Sequence, residues 1–127
     1  MDKIFGSEIL SGEKIVNTSE VKSKYFGIYF GAHWAPPCRL FTGTLKTYYE
    51  EQKVEGGDQF EVIFVSLDGN EAAFFRNYSE MPWLAVPYKD EARISTLKQR
   101  YGINGIPTLV ILNHRGDHIS YDGRKDI

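Results

Sequence analysis

Apolar residues along the chain fall into two rhythms. Tyr25 to Phe30 reads Tyr-Phe-Gly-Ile-Tyr-Phe, and Phe60 to Leu67 reads Phe-Glu-Val-Ile-Phe-Val-Ser-Leu. Nearly unbroken runs of this length suit strands covered on both faces, so the first of them is expected to be central. Between them Leu40, Phe41, Leu45, Tyr48, Tyr49 and Gln52 recur at helical spacing. This predicts a helix from Cys38 to Lys53, opened by Pro36 and Pro37 and ended by Gly56-Gly57. A second helix is expected over Glu71–Tyr78, then an irregular segment, Met81 to Pro87, which two prolines keep from being regular. A third helix is expected over Glu91–Tyr101, with Ile94 and Leu97 inward and Gly102 as its stop. Thr108–Leu112 reads as a strand, and Asn113-His114-Arg115-Gly116 as a turn into Asp117–Tyr121, which makes an antiparallel hairpin. Residues 1–24 are short and polar, broken by Gly6 and Gly12, with strand-like pieces at Ile9-Leu10 and Ile15-Val16. Strands alternating with helices give an α/β fold in three layers, its sheet parallel at the centre with an antiparallel edge. No repeat or linker divides residues 1–127, so one domain is expected.

Composition narrows the function. The 127 residues are 42% apolar and 14% aromatic, enough to build a core, which excludes disorder and fibrous repeats. Apolar stretches of about six residues fall far short of the roughly 20 that cross a bilayer. Fifteen basic against seventeen acidic side chains give a net charge of −2, without the clustered Lys and Arg that nucleic acid or an anionic membrane requires. The start, Met1-Asp2-Lys3-Ile4, opens no signal-peptide pattern, so a cytoplasmic home is the expectation; a cilium or mitochondrion can also be reached without one. His33, His114 and His118 have no ligand spacing and no phosphate loop is present, so neither metal nor cofactor is expected. Asn17-Thr18-Ser19 and Asn77-Tyr78-Ser79 match the glycosylation pattern, which is frequent by chance. The single cysteine, Cys38, excludes an internal disulfide, a multi-cysteine zinc site and an unaided two-cysteine redox cycle.

That cysteine lies in Phe30-Gly31-Ala32-His33-Trp34-Ala35-Pro36-Pro37-Cys38-Arg39, where a parallel strand hands over to a helix and reactive groups of open α/β sheets gather. The stretch resembles the thioredoxin-fold oxidoreductases, in particular their tryparedoxin and nucleoredoxin branch, where it reads Trp-Cys-Pro-Pro-Cys-Arg. Met81-Pro82-Trp83-Leu84-Ala85-Val86-Pro87 resembles a loop of that branch. Gly105-Ile106-Pro107-Thr108 resembles the family's Ile-Pro-Thr, whose proline is cis beside the redox motif. Tyr29 takes the place of a buried Asp in thioredoxins proper, which the branch also lacks. The resemblance runs from about Ile9 to the end. It implies protein disulfides as substrates and no cofactor beyond the cysteine pair: the first cysteine attacks as a thiolate at a helix N-terminus and the second resolves the mixed disulfide.

Here the nucleophile position is Ala35, and only the resolving position, Cys38, keeps sulfur. Two-cysteine exchange is therefore not expected. An engineered Cys→Ala and a natural loss of the nucleophile both give this sequence. The family also adds a final helix after the last hairpin, and Ile127 comes before it, so the resemblance implies either a shortened chain or a sheet face covered by a partner. Cys38 reads first as a small buried apolar residue, and second as a thiol for glutathionylation or a mixed disulfide. Trp34 and Trp83 read either as core aromatics or, by resemblance, as contacts to a partner near the active surface, with Pro36, Pro37, Ile106 and Pro107. The backbone before Pro107 is expected to pair with an extended peptide. Asp68 aligns with an acidic position near the motif, either a proton acceptor or an ordinary loop carboxylate. Arg39 is expected to sit out in solvent. The alternative to a disarmed oxidoreductase is a non-catalytic binding module, possible as a subunit of a larger assembly.

Overall fold

The computed structural model describes residues 2–21, 23–56, 60–115 and 118–120. In chain order the elements are α1 (Asp2–Phe5), β1 (Glu8–Ser11), β2 (Lys14–Asn17), a 3-10 turn at Thr18–Glu20, β3 (Tyr25–Gly31), α2 (Pro36–Gly56), β4 (Phe60–Ser66), α3 (Glu71–Tyr78), β5 (Leu84–Ala85), α4 (Glu91–Arg100), β6 (Thr108–Asn113) and β7 (His118–Ser120). The strands form one sheet in the order β2-β1-β5-β4-β3-β6-β7. Its centre, β3-β4-β5, is parallel, while β1 and β2 on one side and β6 and β7 on the other pair antiparallel. The expected antiparallel edge is thus matched by a second one at the other end.

Pleating sends alternate residues of β3 to opposite faces. Phe26, Ile28 and Phe30 enter a core layer with Ile63, Val65, Val110 and Leu112, roofed by Ile4 and Phe5 of α1 and Leu97 of α4. Tyr29 enters the other, with Phe64, Trp83 and Leu109 beneath Phe41, Leu45 and Tyr49 of α2 and Phe74 and Tyr78 of α3. Helices on both faces give the three layers. Capping decides where two of them begin: Asn70 Oδ1 accepts from Ala73 N at 2.8 Å, and Asp90 Oδ1 from Arg93 N at 3.1 Å.

Four expectations change. The polar N-terminus contains α1, whose Ile4 and Phe5 are buried; each such burial is worth about 1.5–3 kcal/mol, which holds a turn too short to be stable alone. The Met81–Pro87 segment carries a two-residue strand, β5, because between its prolines Leu84 and Ala85 pair with both β4 and β1. Leu40 points outward at 78% exposure, since Phe41, Leu45 and Tyr49 already define the inward stripe at i, i+4 and i+8. Helix α2 is also longer than expected at both ends. Gly57, Asp117, Tyr121 and the place of a final helix lie outside the described residues.

Two phenols are tied to this packing. Burial pushes Tyr78 up to about 12, and its hydroxyl donates to the Trp83 carbonyl. Tyr49 is raised further, by burial first and then by Glu61, whose carboxylate accepts its hydroxyl at 2.7 Å. The unfolded chain releases phenol protons near pH ~10. The fold keeps them, so its stability is full below that pH and falls as pH rises through the folded values. The midpoint of urea unfolding should therefore drop between pH 9 and 11.5, and less steeply in Tyr49→Phe; equal slopes in the two proteins would refute the assignment.

Candidate functional site at the β3–α2 corner

Three segments meet at one end of the sheet. Gly31 ends β3 opposite Ser66, and Leu67 N donates to Gly31 O at 2.9 Å, so the turn after β4 lies beside the turn after β3. Thr108 pairs with Phe30, which brings Ile106-Pro107 to the other side of the same corner. The Ile106–Pro107 bond is cis; Pro107 is buried, and half-buried Ile106 packs on the core.

Side chains then hold the loop between β3 and α2. The Asp68 carboxylate, 6% exposed, accepts from His33 N at 2.9 Å through one oxygen. Its other oxygen accepts from Ser66 Oγ at 2.5 Å and from Asn77 Nδ2 at 3.5 Å. Arg39 Nη1 donates to His33 O at 2.6 Å, so the flanking peptide groups of His33 are gripped from opposite sides. Trp34 Nε1 donates to Leu67 O at 3.3 Å. Arg39 is exposed as expected, yet it serves the loop. Ser66, Asn77 and Tyr88, whose hydroxyl donates to Asp68 O at 2.6 Å, were not read from the sequence as site residues, Asn77 having been noted only within a glycosylation pattern. Asn77 had a signal: it is a polar residue on the inward face of α3, between Phe74 and Tyr78.

The first turn of α2 has little left to offer an anion. Pro36 and Pro37 have no N–H, and the next two amides, Cys38 N at 2.9 Å and Arg39 N at 3.3 Å, both donate to Ala35 O. Behind that turn the Tyr29 hydroxyl donates to Cys38 O at 3.0 Å and lies 2.7 Å from Thr42 Oγ1. Cys38 is 2% exposed and Ala35 6%, whereas Trp34 is 65% exposed and Pro36, Pro37 and Leu40 stand in solvent. The corner thus presents an apolar platform with its one sulfur beneath it. Trp83 is not part of that platform. It is 2% exposed, with its ring edge-on to Tyr29 and Tyr49, and it offers a partner no surface.

A thioredoxin-like domain is what this fold and corner define: the chain belongs to the thioredoxin-like family, whose sequence model matches residues 23–118. Among known proteins it is similar to bovine nucleoredoxin, 47% identical over 124 residues, covering 98% of this chain and 28% of that protein. It is also similar to tryparedoxin of Trypanosoma brucei brucei, 38% identical over 107 residues, covering 84% of this chain and 73% of that one. The solved structure of tryparedoxin II from C. fasciculata superposes with a TM-score of 0.90 at 31% identity, covering 98% of this chain and 83% of that one. The chain therefore spans less than a third of the curated nucleoredoxin it matches.

If Asp68 acts on the loop as an acceptor, its charge matters less than its oxygens. Asp68→Ala should cost about 1–3 kcal/mol in urea unfolding and speed hydrogen exchange at the His33 amide. Asp68→Asn, which keeps an acceptor for that amide, should lose less than half as much and leave the exchange slow. Equal losses in the two variants would refute the clamp.

Proposed function

We propose that this domain recognises an extended polypeptide segment without covalent chemistry, on the platform of Trp34, Pro36, Pro37 and Leu40 beside cis Pro107. The observation that carries this reading is the contrast at the corner: Trp34 is 65% and Leu40 78% exposed, while the only thiol is 2% exposed. Large exposed apolar side chains grouped around one turn are the usual mark of a protein contact. The backbone ahead of Pro107 would add strand-like hydrogen bonds to such a segment. Asp68 then positions the loop, since no thiol stands at residue 35 for it to deprotonate. Within a larger assembly the domain would hold a partner chain in place.

A second reading, an exchange enzyme disarmed at one atom, is favoured by Cys38 itself, which occupies the resolving position in the first turn of α2. In it Ala35→Cys restores the thiol pair and with it the family's chemistry. One pair of measurements separates the two. Peptides selected from a random phage-displayed library on the unmodified chain should bind Trp34→Ala and Leu40→Glu at least about tenfold more weakly. The unmodified chain should also leave the rate of insulin reduction by dithiothreitol no faster than with dithiothreitol alone. Acceleration of that reduction by the chain carrying Ala35, or peptide binding indifferent to Trp34 and Leu40, would overturn the non-covalent reading. Turnover appearing only in Ala35→Cys would show that the scaffold still supports exchange once the missing sulfur returns.

A further inference from the structure

Next to the platform, between the end of β4 and α4, lies a hollow of about 300 Å³ lined by Leu67, Asp68, Glu91, Ile94, Ser95 and Lys98 among others. We propose that it extends the recognition surface and reads a stretch of partner polypeptide carrying a basic and an acidic side chain about three residues apart. The proposal rests on the polypeptide-binding reading above, and it adds a charge requirement to it.

Three observations support it. First, Glu91, Ser95 and Lys98 are spaced i, i+4 and i+7 along α4 and so share a face. Seven residues at 1.5 Å rise put the backbone positions of Glu91 and Lys98 about 10 Å apart along the helix, beyond the i+3 and i+4 neighbours that pair most readily. Neither side chain makes an ion pair among the described residues, where Lys53–Glu61 and Lys89–Glu71 do. Second, the hollow is electrically polarised along its length. Glu91 and Lys98, two turns apart on α4, set a carboxylate toward one end of the lining and an ammonium toward the other, and the Tyr88 hydroxyl ties the turn before α4 to Asp68 O beside them. Leu67 and Ile94 supply apolar lining between them, and Ser95 a hydroxyl. A polyproline II segment advances about 3.1 Å per residue with three residues per turn, so side chains three residues apart lie on one face about 9 Å apart, close to that spacing. Third, the hollow is continuous with the platform: Leu67 lines the hollow, and its carbonyl receives the indole N–H of Trp34. A segment lying on Trp34 has this hollow as its neighbour, which argues for a length of partner chain over a small free zwitterion.

The test uses the full chain at low salt and three capped tetrapeptides, Lys-Ala-Ala-Glu, Lys-Ala-Ala-Lys and Glu-Ala-Ala-Glu, followed by amide chemical shifts. The mixed-charge peptide should bind about three- to tenfold more tightly than either like-charged one, as expected of two exposed ion pairs. Shifts should concentrate at residues 66–68 and 91–98, and the preference should shrink in 0.5 M salt. Lys98→Glu should move the preference to Lys-Ala-Ala-Lys, and Glu91→Lys should move it to Glu-Ala-Ala-Glu. Both positions are exposed on α4, so the fold is retained and far-UV circular dichroism checks it. Equal affinities for the three peptides, no switch in the variants, or shifts elsewhere would overturn the proposal. Equal binding of uncapped trialanine would overturn the assignment to a partner segment in favour of a free zwitterion. Trp34→Ala should leave the order of charge preference intact. Selected peptides that need Trp34 yet show no charge preference would sink this proposal alone and leave the platform reading standing.

Discussion

The placement of Tyr29 between two glycines on one face of β3 is the constraint on which the corner depends. A Cβ on Gly31 would stand 2.9 Å from the Tyr29 ring, and one on Gly27 would stand 2.9 Å from Phe60. With no Cβ on Gly31 the Tyr29 ring can lie over that residue, and it meets Phe41 at 5.5 Å, Phe64 at 5.4 Å and Trp83 at 6.3 Å between centroids, while Gly27 leaves room for Phe60 and Leu109. Its hydroxyl, carried to the far side of that cluster, reaches Cys38 O and Thr42 Oγ1. One residue thereby ties the sheet, the aromatic core and the first turns of α2 together. A carboxylate in its place would reach less far and would bring a buried charge needing a partner.

The hydrogen bonds around the corner run largely through the backbone of the motif. Ala35 contributes its carbonyl to Cys38 and Arg39, and His33 contributes its N–H to Asp68 and its C=O to Arg39. None of these contacts uses the side chain at position 35. A small side chain of either kind, Ala or Cys, at position 35 leaves that hydrogen-bonded frame as it is. The shape of this corner is therefore set by backbone hydrogen bonds and not by the chemistry of residue 35.

Much of this was legible in the residues. The double-faced strands at Tyr25 and Phe60, the helix over Glu71–Tyr78 and the turn at Asn113 follow from apolar runs, 3.6-residue spacing and turn chemistry, which act locally. What was hidden depends on contacts made far along the chain. Ile4 and Phe5 look like a stray apolar pair until the sheet face beneath them exists. Leu84 and Ala85 form a strand because β1 and β4 arrive on either side of them. The two tryptophans show the same limit at the site: Trp34 and Trp83 are alike as residues in turns beside prolines, but the first caps a corner and the second sits under α2 against Tyr29 and Tyr49. Ser66 at the end of β4, Asn77 in α3 and Tyr88 in the turn before α4 gather on Asp68, and of these only Ser66, two residues away, is close to it in sequence.

The rigidity of the platform bears on how such a domain can bind at all. A covalent exchange partner is held by a mixed disulfide, so its non-covalent contact can be slight. Without that bond, affinity must come from surface alone, and four exposed side chains fall well short of the roughly 800 Å² per partner of a standard stable interface. Two features offset the shortfall. Trp34 is already tethered to Leu67 O and the His33 peptide groups are already gripped, so less side-chain and loop freedom remains to be lost, a term worth about 0.5–1.5 kcal/mol for each mobile side chain that binding would otherwise freeze. Contacts beside the platform then add area and selectivity without moving the loop. Under the proposed reading, a small preset surface of this kind would bind weakly by itself and gain most when a second contact on the same partner raises the local concentration.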